Sequence, residues 1–194
     1  MEDPIDQFNA WLALAKQTPA IKEPTAMTLA TATPQGAPAA RIVLLKASDA
    51  SGFVFYGNME SRKFSELKVN PRAALCFHWM PLERQVRIEG NVVRVSDEQA
   101  DAYYNSRPRE RQIGAWASQQ SRPLANREEL EARNAMFEKK FEGIAVPRPP
   151  HWSGWRLAPL SIEFWINSDV RLHEREIYRR ETLASPWVHG LMYP

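Results

Sequence analysis

Residues 25–56 read TAMTLATATPQGAPAARIVLLKASDASGFVFY, three apolar runs rich in β-branched and aromatic residues, separated by two short polar breaks. The first break, Thr33-Pro34-Gln35-Gly36, has the proline and glycine of a tight turn, and the second is a polar loop from Ser48 to Gly52. Runs of this length joined by short turns predict an antiparallel meander. RIVLLK, with Arg41 and Lys46 at its two ends, reads as a central strand of that meander.

Working outward, Asp3-Pro4 supplies an N-cap acceptor followed by proline at the first helical position, and Phe8, Trp11, Leu12 and Ala15 form an apolar stripe behind it. Downstream, Ser61 opens a short helix through Leu67 that must stop near Asn70-Pro71. AALCFHW and RQVRIEGNVVRV follow as strands, with Gly90 marking a bulge. Ser96 with Gln99, and Asn126 with Glu129, are capping boxes for two further helices, the second ending at Gly143. Between them lies the Arg/Gln-rich segment SRPRERQIGAWASQQSRP. After VPRPPHW the strand pattern returns in GWRLA, SIEFWI and VRLHEREIYRR. This order predicts one mainly β domain over 1–194, with α additions: a helix in 1–20, barrel strands in 25–95, a helical section in 96–143 and C-terminal strands in 151–194.

The 194 residues suffice for one sizeable core, and 44% hydrophobic with 25% charged residues is ordinary for a soluble protein. No apolar run approaches the roughly 20 residues that cross a bilayer. The acidic start MEDPIDQ does not read as a signal peptide, so a cytoplasmic location is expected. Cys76 is the only cysteine, which excludes an internal disulfide, and its setting in AALCFHW predicts core packing. The four histidines lack metal spacing, and a formal charge of +2 is too small for a general nucleic-acid surface.

The basic residues are instead clustered beside apolar ones, a pattern suited to small phosphorylated ligands. If Arg171-Leu172-His173-Glu174-Arg175 is a strand, Arg171, His173 and Arg175 share one face. Their mutual repulsion calls for an anionic ligand or for carboxylates from elsewhere; a salt-bridged edge strand fits the same pattern. Arg62 and Lys63 sit in a first helical turn, where the dipole disfavours cations but free N–H groups favour a phosphate. Gln85, Gln120, Ser121 and Trp165 can recognise the edge and face of a flavin, or simply serve as loop hydrogen-bonders and core.

Taken in order, RIVLLK, FYGNMESRK, NPRAAL, LERQVRIEG, YYNSRPRERQIGAWAS, QQSR, VPRPPHWSGWRL, IEFW and RLHEREIYRR resemble the pyridoxine/pyridoxamine 5'-phosphate oxidases from about Thr25 to Arg180. The resemblance implies a split β-barrel homodimer with two FMN sites at the subunit interface. It implies FMN contacts from Arg41, Ile42, Lys46, Tyr56, Gly57, Arg62, Lys63, Gln85, Gln120, Ser121, Trp165 and Arg175. Substrate contacts would come from Lys46, Tyr103, Arg107, Arg171 and His173, with Arg171 and His173 catalytic, beside the reacting carbon. The implied reaction oxidises a phosphorylated vitamin B6 substrate to its aldehyde and reduces oxygen to hydrogen peroxide. Arg111, added here to the substrate set, stands where the family commonly has a small serine near the substrate phosphate. Related split-barrel flavoproteins with another substrate, a non-catalytic flavin or pyridoxal-phosphate binder, and a small β-barrel nucleic-acid binder are the competing readings.

Overall fold

The computed structural model describes residues 3–194, so positions 1 and 2 of the N-terminal segment lie outside the described residues. The three runs expected to form one meander instead form two hairpins at opposite ends of the strand order, because three later strands are inserted between them. Strand β1 (Ala26–Ala32) pairs antiparallel with β2 (Pro38–Leu44), and the Gly36 N–H donates to the Thr33 carbonyl at 2.9 Å with Gly36 at φ +84°. Strands β3 (Ala47–Asp49) and β4 (Gly52–Asn58) make a second hairpin. Helix α2 (Arg62–Val69) then leads to β5 (Arg72–Trp79) and β6 (Arg84–Arg94), which pair with each other.

Strand β7 (Trp152–Ile166) is one element of 15 residues where the sequence predicted two separate strands. Pro159 lies within it at a bulge: Glu89 faces Ser161 and Gly90 faces Pro159, leaving Leu160 as the extra residue. A proline has no ladder N–H to offer, so a bulge is where a strand tolerates one. Gly90 is required there, because a Cβ would stand 2.1 Å from the Ala158 carbonyl oxygen. The first half of β7 lies between β4 and β6, and its second half lies between β6 and β8 (Glu174–Arg179). Strand β9 (Val188–Leu191) closes the sequence of strands on β8.

The main strand order is β2-β1-β5-β6-β7-β4-β3, which puts β2 at an edge and corrects its reading as a central strand. Beyond Leu44 the chain turns away, so the apolar run is interrupted and Ile42 is left 64% exposed. The loop before β8 brings a second correction. Arg171 and His173 are not on a strand with Arg175, because Asn167-Ser168-Asp169 turns the chain out of β7 and Arg171 adopts φ +61°. The Arg171 N–H donates to the Ser168 carbonyl at 3.0 Å, closing that turn before β8 begins at Glu174.

Period-two alternation points Met27 and Leu29 of β1, Leu75, Phe77 and Trp79 of β5, and Val86 and Ile88 of β6 into one core. Helix α1 (Pro4–Gln17) covers it, started by the Asp3 carboxylate accepting from the Ile5 N–H at 2.9 Å. The Phe8 ring meets Phe53 and Phe77 edge-on at 4.9 and 5.0 Å. Burial of each such ring contributes about 1.5–3 kcal/mol. Cys76 lies between Leu75 and Phe77, so alternation sends it to the opposite face. It is half-buried across from Arg87, not in the core as its apolar neighbours had implied, and burial pushes its thiol pKa up.

The helical section contains one more element than the sequence reading gave it. Ser96 caps α3 (Asp97–Asn105) and Asn126 caps α5 (Arg127–Lys140), each accepting the expected N–H three residues on. Between them, the Arg/Gln-rich segment, to which the sequence reading gave no helix of its own, contains α4 (Arg109–Ala117). Its Ile113 packs with Phe141 and Val146, a contact that stabilises a nine-residue helix too short to hold by itself. Among the described residues no helix is long and apolar enough to cross a membrane.

Candidate active site

A cavity of about 850 Å³ opens between the end of β2, the C-terminal end of β4, the start of α2 and the face of α4. Six cationic side chains line it, Arg41, Lys46, Arg62, Lys63, Arg107 and Arg111, and no carboxylate does among the described residues. The chain builds the α2 side with a short turn after β4. Asn58 accepts the Glu60 N–H through its side chain at 2.8 Å, and Ser61 then starts the helix, so that Arg62 and Lys63 face the cavity. The Ser61 hydroxyl makes no capping hydrogen bond and instead accepts from Lys63 Nζ at 3.0 Å.

Lys63 also donates to Gln120 Oε1 at 2.8 Å, tying α2 to the loop after α4. Burial, reinforced by the charge of Arg41, pulls the Lys63 ammonium down to about 8. Gly57 leaves room for this arrangement, since a Cβ there would stand 2.9 Å from the Phe64 ring and 3.6 Å from Lys63 Nζ. Behind the cavity, Glu66 takes Arg62 Nε at 2.8 Å and Arg41 Nη2 at 3.3 Å. Burial alone would raise the Glu66 pKa, but the Thr31 hydroxyl and the two guanidiniums outweigh it and hold the carboxyl below its ordinary value.

At the other end, Arg107 follows α3 and its guanidinium lies over the Trp152 and Tyr104 rings at 4.9 and 5.6 Å. Its Nη1 is buried without a hydrogen-bond partner, a cost of about 1–3 kcal/mol for a polar group and more for a charged one. Burial first, and Arg111 in addition, act to lower the Arg107 pKa. An anion placed here would satisfy both observations. Tyr103 lines the same end and stacks on Tyr56 at 4.2 Å.

Arg111, Gly114, Ala115 and Ser118 line the cavity from α4 and the residue after it. Their i, i+3, i+4, i+7 spacing is one helical face, and the small residues leave space beside the guanidinium. Arg109 points the other way, donating to the carbonyls of Phe141 and Ile144, so only two of the three neighbouring arginines serve the cavity. Gly114, Ala115 and Ser118 went unread because the helix that spaces them was missed. Trp152 also lines the cavity, and nothing in its local sequence marks it for that role.

Of the residues singled out from sequence, the cavity gathers Arg41, Ile42, Lys46, Tyr56, Gly57, Arg62 and Lys63 from the first half of the chain, and Tyr103, Arg107, Arg111, Gln120 and Ser121 from the helical section. It does not include Gln85, Trp165, Arg171, His173 or Arg175. Three of these form a row across β6, β7 and β8, with Gln85 opposite Trp165 and Trp165 opposite Arg175. Beside that row, Glu163 receives Arg175 through Nε at 3.1 Å and Nη2 at 3.0 Å, and Arg87 at 3.3 Å. Arg175 Nη1 donates to the Tyr193 carbonyl at 2.9 Å. The His173 ring lies 4.8 Å from that of Trp165, and its Nδ1 accepts the Ser168 N–H at 3.1 Å, which leaves the proton of a neutral ring on Nε2.

Comparison with known proteins follows the same division of the chain. Residues 14–140 match the pyridoxamine 5'-phosphate oxidase family, and residues 152–194 match the pyridoxine 5'-phosphate oxidase C-terminal dimerisation region. A pyridoxine/pyridoxamine 5'-phosphate oxidase of Myxococcus xanthus is 55% identical over 192 residues, covering 99% of this chain and 92% of that protein. One from Rhodospirillum rubrum is 55% identical over 197 residues, covering 99% and 96%. Among solved structures, PhzG from Burkholderia lata in complex with tetrahydrophenazine-1-carboxylic acid superposes with a TM-score of 0.93 at 33% identity, covering 100% of this chain and 94% of that one. The split-barrel fold, the ordered motifs and the extent of these matches lead to one assignment: the chain belongs to the pyridoxine/pyridoxamine 5'-phosphate oxidase family of oxidoreductases.

Proposed function

We propose that the protein binds FMN in the cavity and oxidises pyridoxamine 5'-phosphate or pyridoxine 5'-phosphate to pyridoxal 5'-phosphate, with oxygen reduced to hydrogen peroxide. The observation that carries the reading is the charge pattern: six cations without a lining carboxylate, divided between the start of α2 and the Arg107–Arg111 end. Two separated cationic ends suit two phosphates, one on the cofactor and one on the substrate. Arg41, Arg62 and Lys63 would hold the FMN phosphate, with Lys46, Gln120 and Ser121 orienting the remainder. Tyr103, Arg107 and Arg111 would hold the substrate phosphate, where the unpartnered Arg107 Nη1 is available.

When bound, FMN supplies the two-electron acceptor and passes the electrons to oxygen. The chain's own part is alignment and exclusion of water. The Trp165–Arg175 face lies outside the cavity, so the reading includes a homodimer in which that face of one copy completes the cavity of the other. Arg171 and His173 would then flank the reacting carbon, with the Ser168 N–H keeping the His173 proton on Nε2. A cytoplasmic setting belongs to the same reading.

The test is production of pyridoxal phosphate and peroxide from both phosphorylated substrates by FMN-loaded protein. Turnover of neither, with FMN bound, would defeat the substrate assignment. The second reading, a split-barrel flavoprotein acting on a heteroaromatic carboxylate, is favoured by the similarity to PhzG and predicts turnover only with such compounds.

A further inference from the structure

Among the described residues, Glu66 is the one carboxylate that pairs with cations lining the cavity. It is buried to 7% exposure and does not itself line the cavity. Its position four residues after Arg62 places it one helical turn away, where it takes Nε at 2.8 Å and leaves both terminal nitrogens free. The Arg62 side chain makes no other hydrogen bond among the described residues. On the opposite side, the Thr31 hydroxyl donates to Glu66 Oε2 and accepts from Arg41 Nη1, while Arg41 Nη2 reaches the same Oε2 at 3.3 Å. Thr31 stands on β1, Arg41 on β2, and Arg62 and Glu66 on α2, so Glu66 joins two arginines from different elements; Arg41 Nη1 is also held by the Leu29 and Ala39 carbonyls at 3.3 Å each, whereas the Arg62 side chain has Glu66 alone among the described residues.

We propose that Glu66 is a positioning residue for the phosphate of FMN, fixing Arg41 and Arg62 with their free donors toward the cavity before the ligand arrives. The proposal rests on the reading of the cavity as an FMN site. Two physical effects oppose each other here. Removing the carboxylate makes the cavity more positive, which by charge alone tightens an anion. It also frees the Arg62 side chain and the Nη2 end of Arg41, whose ordering must then be supplied by ligand binding. Direct guanidinium–phosphate hydrogen bonds depend steeply on geometry, so the second effect dominates.

The sign of the change separates the two roles. Binding of FMN and of riboflavin, which lacks the phosphate, is measured by flavin fluorescence on apoprotein, with a thermal melt of each variant. Glu66→Gln is expected to weaken FMN at least roughly tenfold and to leave riboflavin within about twofold, and Thr31→Val to weaken FMN by about threefold. Unchanged or tighter FMN binding in Glu66→Gln would make Glu66 a counter-ion and overturn the proposal. Equal weakening of both flavins in both variants would make the role structural and overturn it too. If the unmodified protein itself fails to prefer FMN over riboflavin, the FMN reading falls, and this proposal with it.

Discussion

Glu66 and Glu163 solve the same electrostatic problem in two different settings. Each carboxylate is 7% exposed and each holds two guanidiniums, Arg41 and Arg62 in one case, Arg87 and Arg175 in the other. A carboxylate that deep is costly unless paired and hydrogen-bonded, and both are. Glu66, however, lies behind a concave wall, and its arginines face a cavity enclosed by α2 and α4. Glu163 lies on a sheet whose row of Gln85, Trp165 and Arg175 takes no part in lining that cavity. The first cluster lies within one chain; in the proposed homodimer the second would be covered by the other copy, and its Glu163, Trp165 and Arg175 fall within the region matching the family's dimerisation model.

The sharpest way to break this contrast is complementation between two defective variants. Arg62→Ala damages the cavity cluster and Arg175→Ala the face cluster, and each loses charge-assisted contacts of roughly 1.5–3 kcal/mol, or about ten- to over a hundredfold in FMN affinity. If the face of one copy completes the cavity of the other, a mixed dimer has one site with both clusters intact. Random reassortment then restores about a quarter of the sites, the statistical share for a two-fold dimer. The measurement is flavin bound after mixing, dissociating and reassociating the two variants at an FMN concentration where neither binds alone. No recovery would show that both clusters serve a site within one chain.

The same contrast explains what could be read from the sequence. Strands β1, β2, β4, β5 and β6 were legible because tight turns and period-two alternation are local signals, as was the bulge at Gly90, whereas the three-residue β3 was read as part of the polar loop from Ser48 to Gly52. Helix α4 was missed because RERQIGAWA has a weak apolar stripe, and only Phe141 and Val146, brought by later segments, give Ile113 something to pack on. Arg171, His173 and Arg175 were placed on one face by alternation, but a polar turn interrupts the strand, a tertiary outcome the pattern did not contain. The cavity's cations were found through the ordered motifs of the family; periodicity alone gave each of them an equally good solvated role.

A second, smaller effect concerns Arg111, which sharpens the substrate end of the cavity cluster. Arg111 is exposed, beside small residues on the same helical face, and it adds a donor fork to the half-buried Arg107. Arg111→Ser is expected to raise KM for pyridoxamine 5'-phosphate by about five- to tenfold with little change in kcat, as removal of a contact made equally in ground and transition states requires. A large gain in activity would show instead that Arg111 blocks the cavity and that its natural ligand is another compound.

The smallest expected effect is a pH dependence that belongs to the cavity cluster alone. Lys63 has its pKa lowered from 10.5 to about 8, by burial first and by Arg41 second. Below about pH 8 the ammonium is charged in both folded and unfolded chains, and burial of that charge costs the fold stability. Between about 8 and 10.5 the unfolded chain keeps a proton that the folded apoprotein has lost, so the stability of the apoprotein rises with pH across that window. FMN affinity has the opposite slope, because the phosphate needs the charged form. A flavin phosphate, with its second pKa near 6, is already a dianion by pH 7, so the ligand contributes little to any change above that point. Weakening of FMN by about fivefold is therefore expected between pH 7 and 9, as Lys63 passes through its own titration. Lys63→Arg should flatten the profile, since a guanidinium stays charged throughout. A profile equally steep in that variant would assign the titration to another group and leave Lys63 a purely structural tie between Ser61 and Gln120.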